Sequence, residues 1–219
     1  IADAAPHWTR LDAAARQTLL DSAAHDAWAA RRALMALLPR DGALAPSQIA
    51  ALAQSVARNP MRIADLITDA APHWTRLDAA TRQALLESAA RYAETARRTL
   101  MALLPRDSAL APDQIAALAS AVARNPSASA ELITDAAPHW DRLDAAARQA
   151  LLESAARHAK TAQTALMALL PRDDALADAH ALALARAAFP GVAWAWGRYT
   201  PNPPPPAPPP PPPTPRRAG

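Results

Sequence analysis

The sequence predicts an all-α protein, a tandem helical array followed by a disordered polyproline tail. Three observations predict it. Ala and Leu supply 63 and 27 of the 219 residues, while β-branched and aromatic side chains are scarce, which favours helices and argues against a substantial sheet. Ile1, Ala2, Asp3, Ala4, Ala5, Pro6, His7 and Trp8 are echoed at 67–74 and again at 133–140, which sets a 66-residue repeat. Twelve of the 23 prolines fall between Pro201 and Pro215.

The duplication is extensive. Residues 1–66 and 67–132 share 49 of 66 positions, and 67–111 and 133–177 share 37 of 45. The expected organisation is therefore three helical copies, 1–66, 67–132 and 133–199, and a tail, 200–219. The third copy departs from the pattern after Ala177, so 178–199 reads as a terminal cap. Ile1 matches Ile67, so the first copy reads as truncated, with its preceding helix and further copies expected upstream.

Within the middle copy, Thr75 stands ahead of Arg76, Leu77 and Asp78 and is expected to cap a helix, as are Thr9 and Asp141 in the other copies. From Leu77 to Leu104 there is no Pro or Gly. Leu77, Thr81, Leu85, Ser88, Tyr92, Thr95, Thr99 and Leu103 share one stripe, which predicts one long helix over 77–104. A break near Tyr92 is the alternative. Pro105 ends it, as Pro39 and Pro171 do elsewhere. A second helix is expected from Pro112 to Arg124, with Ile115, Leu118 and Val122 on one face, stopped by Asn125 and Pro126. A third, shorter one spans roughly 127–136. Ala buries little surface, so close packing and stacking of copies must stabilise the array.

The tail, rich in consecutive prolines from Pro201 on, favours polyproline II. A spacer is the favoured reading, and a ligand for an aromatic groove is the other.

Composition excludes several chemistries. With no Cys there are no disulfides, thiolate metal sites or cysteine nucleophiles. Gly occurs only at 42, 191, 197 and 219, so no Gly-rich phosphate cradle can form. The pI near 10.1 reflects 22 Arg, because the formal net charge is only +3. The copies carry 7 basic and 6 acidic, 7 and 7, and 7 and 7 groups, so no copy is a basic domain. No membrane span is expected, since the apolar stretch 181–196 contains Arg186 and Pro190 and is too short. Localisation stays open between the cytoplasm and the surface or exterior of a bacterium with a GC-rich genome, which the use of Arg over Lys and the high Ala content suggest.

One polar and aromatic cluster recurs. It places His7 and Trp8, His73 and Trp74, and His139 and Trp140, each pair preceded by Asp3, Asp69 or Asp135. One His per copy offers no convergent ligand set, so no metal or cofactor is expected. The favoured role is structural, with Trp stapling the chain as it enters the long helix. If the Trp side chains are exposed, the six residues are candidate binding spots for a partner. Glu87 with Arg91 and Glu94 with Arg98 read as i,i+4 ion pairs on a solvated face. Ser22, Ser88 and Ser154 sit mid-helix with no nucleophile elbow, and Asp173 and Asp174 are the one close carboxylate pair.

Leu110-Ala-Pro-Asp-Gln-Ile-Ala-Ala-Leu-Ala-Ser120 resembles the first helix of repeats in the plant-pathogen TAL-effector family, and 44–54 is similar. The resemblance implies DNA reading by units of about half this period. It covers some 11 residues per copy, and the Gly pair of that family is Ala123-Arg124 here, so the family is not assigned. The expected function is a non-catalytic scaffold that binds a protein partner. The alternatives are a nucleic-acid-binding helical repeat, which requires Arg side chains to gather on one face, and the stalk of a larger secreted or surface protein.

Overall fold

The computed structural model describes residues 1–172 and 176–190. The proline tail 200–219, residues 191–199 of the expected cap, and the pair Asp173 and Asp174 lie outside the described residues. Among the described residues the chain is all-helical, with no strand. The α-helices are α1 (Ala13–Ala24), α2 (Ala27–Leu37), α3 (Pro46–Ala57), α4 (Pro60–Ala70), α5 (Ala79–Ala89), α6 (Ala93–Leu103), α7 (Pro112–Val122), α8 (Pro126–Ala136), α9 (Ala145–Ala155), α10 (Ala159–Leu169) and α11 (Asp178–Ala188). Three 3-10 segments, Ala5–Arg10, Ala71–Arg76 and Ala137–Arg142, precede α1, α5 and α9.

Helix boundaries follow from caps. Asp12, Asp78 and Asp144 accept hydrogen bonds from the backbone N–H of Ala15, Thr81 and Ala147 at 2.7, 2.8 and 2.6 Å and open α1, α5 and α9. The caps are therefore these aspartates. Thr9, Thr75 and Asp141, the caps expected from sequence, lie inside the 3-10 segments instead. Asn59 and Asn125 open α4 and α8, accepting from Met61 and Ser127 at 3.2 and 3.0 Å, with Pro60 and Pro126 preset for the first turn. The Asn-Pro pairs thus start the next helix as well as follow the last one.

The long helix expected over 77–104 is two helices. α5 ends at Ala89, and Tyr92 is extended (φ −129°, ψ 126°) before α6 begins. Neither Pro nor Gly forces the break. The chain turns so that Ala96, Leu100 and Leu103 are wholly buried, with α6 packed on α4, α7 and α8. Burial of this apolar stripe outweighs the loss of one helical turn. In the first copy the same break has a visible cap, since Asp26 accepts from Ala29 N–H at 2.8 Å.

Helices pack in neighbouring pairs, α1 on α2, α3 on α4, and so on to α9 on α10, with α11 packed on α10. They also sort into two layers. In one, α1, α3, α5, α7, α9 and α11 each touch the next; in the other, α2, α4, α6, α8 and α10 do. Small residues make the close approach possible: Ala30, Ala33, Ala89, Ala96, Ala119, Ala136, Ala155, Ala162 and Ala165 are completely buried. Leu34, Leu37, Ile63, Ile67, Leu132 and Ile133 fill the space between the layers.

Two edges result. At one, each odd-numbered helix of the first five pairs turns into its even-numbered partner. At the other, each even-numbered helix leads through a loop, or a 3-10 segment, into the next odd-numbered helix. No described helix is long and apolar enough to cross a membrane.

Candidate functional site

The recurrent His-Trp segments lie on the second edge. Pro6, Pro72 and Pro138 sit in the first turn of each 3-10 segment, and His7, His73 and His139 depart from helical angles, with φ near −113°, −118° and −121°. That kink drives the following indole inward. Trp8, Trp74 and Trp140 are each only 2% exposed. The Nε1–H of Trp8 donates to the carbonyl of Ala43 at 2.9 Å, and that of Trp74 to Ala109 at 2.9 Å. A buried indole gains a partner for its one donor this way, and the loop after α2 or α6 is tied down.

The tryptophans therefore do not meet the exposure that an anchor role demanded. His7 is exposed, and His73 and His139 are half-buried at the rim. Among the described residues, no three His, Asp or Glu side chains come together to hold a metal.

Charged residues around the segments serve the same clamp. Arg76 donates to the carbonyl of Leu38 at 2.9 Å and pairs with Asp41 at 2.9 Å. Arg142 repeats this with Leu104 at 2.8 Å and Asp107 at 2.7 Å. Asp69 pairs with Arg31 of α2, and Asp135 with Arg97 of α6 at 2.7 Å.

Arg97 also meets Glu94 at 2.8 Å and Glu131 at 3.4 Å, so one guanidinium gathers three carboxylates. Its hydrogen bond to Glu94 raises the Arg97 pKa, and the same bond holds the Glu94 carboxyl below its ordinary value. The pairing differs from the i,i+4 pairs read from sequence. Glu94 faces Arg97, Arg98 reaches Asp65 of α4 at 2.7 Å, and Glu87 accepts from Gln83 at 2.9 Å. Arg97 thus keeps one salt bridge within its helix, while Arg98 is drawn to the neighbouring helix instead of to Glu94.

Two of the three mid-helix serines, Ser88 and Ser154, are structural too. Ser88 donates to the carbonyl of Ala57 at 2.8 Å, and Ser129 donates to the buried Ser154 hydroxyl at 3.0 Å.

The first edge carries what the sequence reading missed. Its turns hold His25, Arg58, Arg91, Arg124 and Arg157, all exposed. Each stands 33 residues after the one before, half the 66-residue period. None of the four arginines has an ion-pair partner among the described residues. Arg124 donates instead to the carbonyls of Ala90, in the preceding turn, and Ala121. Carboxylates flank three of the turns one helical turn back, Asp21, Glu87 and Glu153, each held by a Gln at 2.7 to 2.9 Å.

Large apolar side chains share this edge. Trp28 and Met61, in the first turns of α2 and α4, are 48% and 81% exposed, and Tyr92, ahead of α6, is 50% exposed. Phe189, at the end of α11, is 45% exposed. The Arg32 guanidinium lies 4.6 Å from the Trp28 ring centre and stacks on it.

Compared with known proteins, the chain matches no family model, no curated protein and no solved structure.

Proposed function

We propose that the chain is a non-catalytic scaffold, a tandem array of three 66-residue helical copies that binds a protein partner along its length. The supporting observation is that bonds within a helix pair and bonds between pairs both recur one period apart. Trp8 to Ala43 becomes Trp74 to Ala109, Arg76 to Leu38 becomes Arg142 to Leu104, and Gln48 to Gln17 becomes Gln114 to Gln83, at 2.8 to 3.0 Å throughout. Each copy stacks on the next through side chains that the repeat itself supplies, which is how solenoids build extended binding surfaces. The His-Trp segments serve that stacking, with His7, His73 and His139 left at the rim. The proline tail acts as a spacer, with aromatic-groove binding as its second role.

Nucleic acid is the second reading, favoured by the arginine in each of four successive turns. The near-equal charges of each copy weigh against it. A pull-down with residues 1–200 and 1–219, each with and without nuclease, tests both. Protein partners kept by both baits after nuclease support the scaffold, and partners lost on nuclease treatment support nucleic acid. Partners held only by the longer bait would move function to the tail, and no partner for either bait would remove the scaffold reading.

A further inference from the structure

Polar and apolar side chains are unevenly shared between the two edges. On the loop edge, two arginines are consumed by the fold: Arg76 and Arg142 each clamp a carbonyl and an aspartate. On the turn edge, Arg58, Arg91 and Arg157 make no side-chain bond among the described residues. Beside them stand Trp28, Met61, Tyr92 and Phe189, four of the large apolar side chains that the described structure leaves in water. Holding a Trp, a Met and a Tyr exposed on three consecutive turns forfeits burial that the core could offer.

We infer that the turn edge is a docking surface for an extended polypeptide segment in which carboxylates alternate with apolar side chains. This rests on the scaffold reading and names its surface and its ligand. The carboxylates meet Arg58, Arg91 and Arg157. The apolar side chains meet Trp28, Met61 and Tyr92.

Two features favour a polypeptide over a nucleic-acid backbone. Met, Trp, Tyr and Arg together are the residue types enriched in protein interfaces. The fixed carboxylates Asp21, Glu87 and Glu153 close to the turns would repel a continuous row of phosphates, whereas a peptide can place an apolar or amide group opposite them. The layers also fit a linear ligand. Odd-numbered helices stack on odd and even on even, so successive turns follow one another along one side, at helix-packing separations on the order of 10 Å.

The test uses the full chain and a fluorescein-labelled synthetic 20-residue peptide of alternating Glu and Leu or Phe, read by anisotropy. A single-stranded and a double-stranded DNA of 20 nucleotides or base pairs serve as competing probes. The inference expects saturable peptide binding. The triple variant R58Q/R91Q/R157Q should weaken it about tenfold or more, as should W28S/Y92S, since truncating such anchors costs at least that much. The variant R40Q/R106Q, on the loop edge, should leave it unchanged. All variants alter exposed side chains, and far-UV circular dichroism verifies that they keep the helical fold.

No peptide binding overturns the inference, as does binding indifferent to both turn-edge variants. DNA bound more tightly than peptide, with a steep loss on added salt, overturns it in favour of nucleic acid. Repeating the pull-down with the turn-edge variants separates the two levels. A partner captured equally by parent and variants leaves the scaffold and removes this edge, whereas no partner for the parent removes the scaffold.

Discussion

Trp74 and Ala109 are joined by an indole N–H donating to a buried carbonyl at 2.9 Å, across 35 residues of chain. The bond links the start of one helix pair to the loop that ends it, so the segment Ala71–Arg76, α5, α6 and that loop close as one body. Its loss should be felt throughout the pair. Trp74→Phe keeps an aromatic ring but leaves the Ala109 carbonyl without this donor, which should cost about 1–3 kcal/mol. Trp74→Ala adds a cavity and should cost roughly 3–5 kcal/mol. Urea unfolding measures both. A Phe variant as stable as the parent would show that packing alone holds the ring.

Asp78 opens α5 by accepting from the Thr81 N–H and from the Thr81 hydroxyl, each at 2.8 Å. Those bonds hold its carboxyl below the ordinary value. A depressed folded-state pKa means that the contribution is complete above the ordinary carboxylate range and disappears as pH falls through the folded value. Asp78→Ala should therefore destabilise by about 1 kcal/mol at neutral pH. The parent and variant should converge below the ordinary carboxylate value. A constant gap across that acid range would refute the cap.

Thr99 is completely buried, and its hydroxyl has no hydrogen-bond partner among the described residues. The matching positions in the other copies are Ala33 and Ala165. Thr99→Val keeps the shape and removes the unpaired polar group, so it should stabilise by about 1 kcal/mol. Thermal melting decides, and a lower melting temperature would mean that the hydroxyl is satisfied in solution.

Ser108 holds a left-handed backbone, φ 59°, where the first copy has Gly42 at φ 68°. A side chain in that region is strained, and glycine is not. Ser108→Gly should stabilise by up to about 1 kcal/mol, and Gly42→Ser should do the reverse. Opposite signs in chemical denaturation are the expected outcome, and equal signs would contradict it.

Much of the architecture was legible in the residues. Helical class followed from Ala and Leu, and α7 and α8 lie close to their expected limits. The break between α5 and α6 was not fixed by any local residue of the middle copy. Tyr92 makes no side-chain cap, and the turn exists because α6 has a better place to bury its stripe. The signal was in the first copy, where Asp26 stands at the same point. The tryptophans illustrate a second limit. A Pro-His-Trp segment favours a staple, but a binding spot stays open until the direction of the indole is known. The row of turn arginines was missed for a different reason, with Arg91 read only as a partner of Glu87. At half the 66-residue period the identities are little more than so Ala-rich a chain produces by chance, so His25 and the arginines at 58, 91, 124 and 157 do not stand out as one row.

The bonds described above share one arithmetic property. No side-chain hydrogen bond or ion pair among the described residues spans more than 38 positions, the reach of Arg31 to Asp69 and of Arg76 to Leu38. Such a chain needs no distant encounter to fold, because each loop that must close is short, and folding should be fast for its length. The same locality sets how it fails under load. Drawn out from its ends, it should give way one helix pair at a time, in a series of small steps, because no fastening connects an outermost pair to the middle of the molecule.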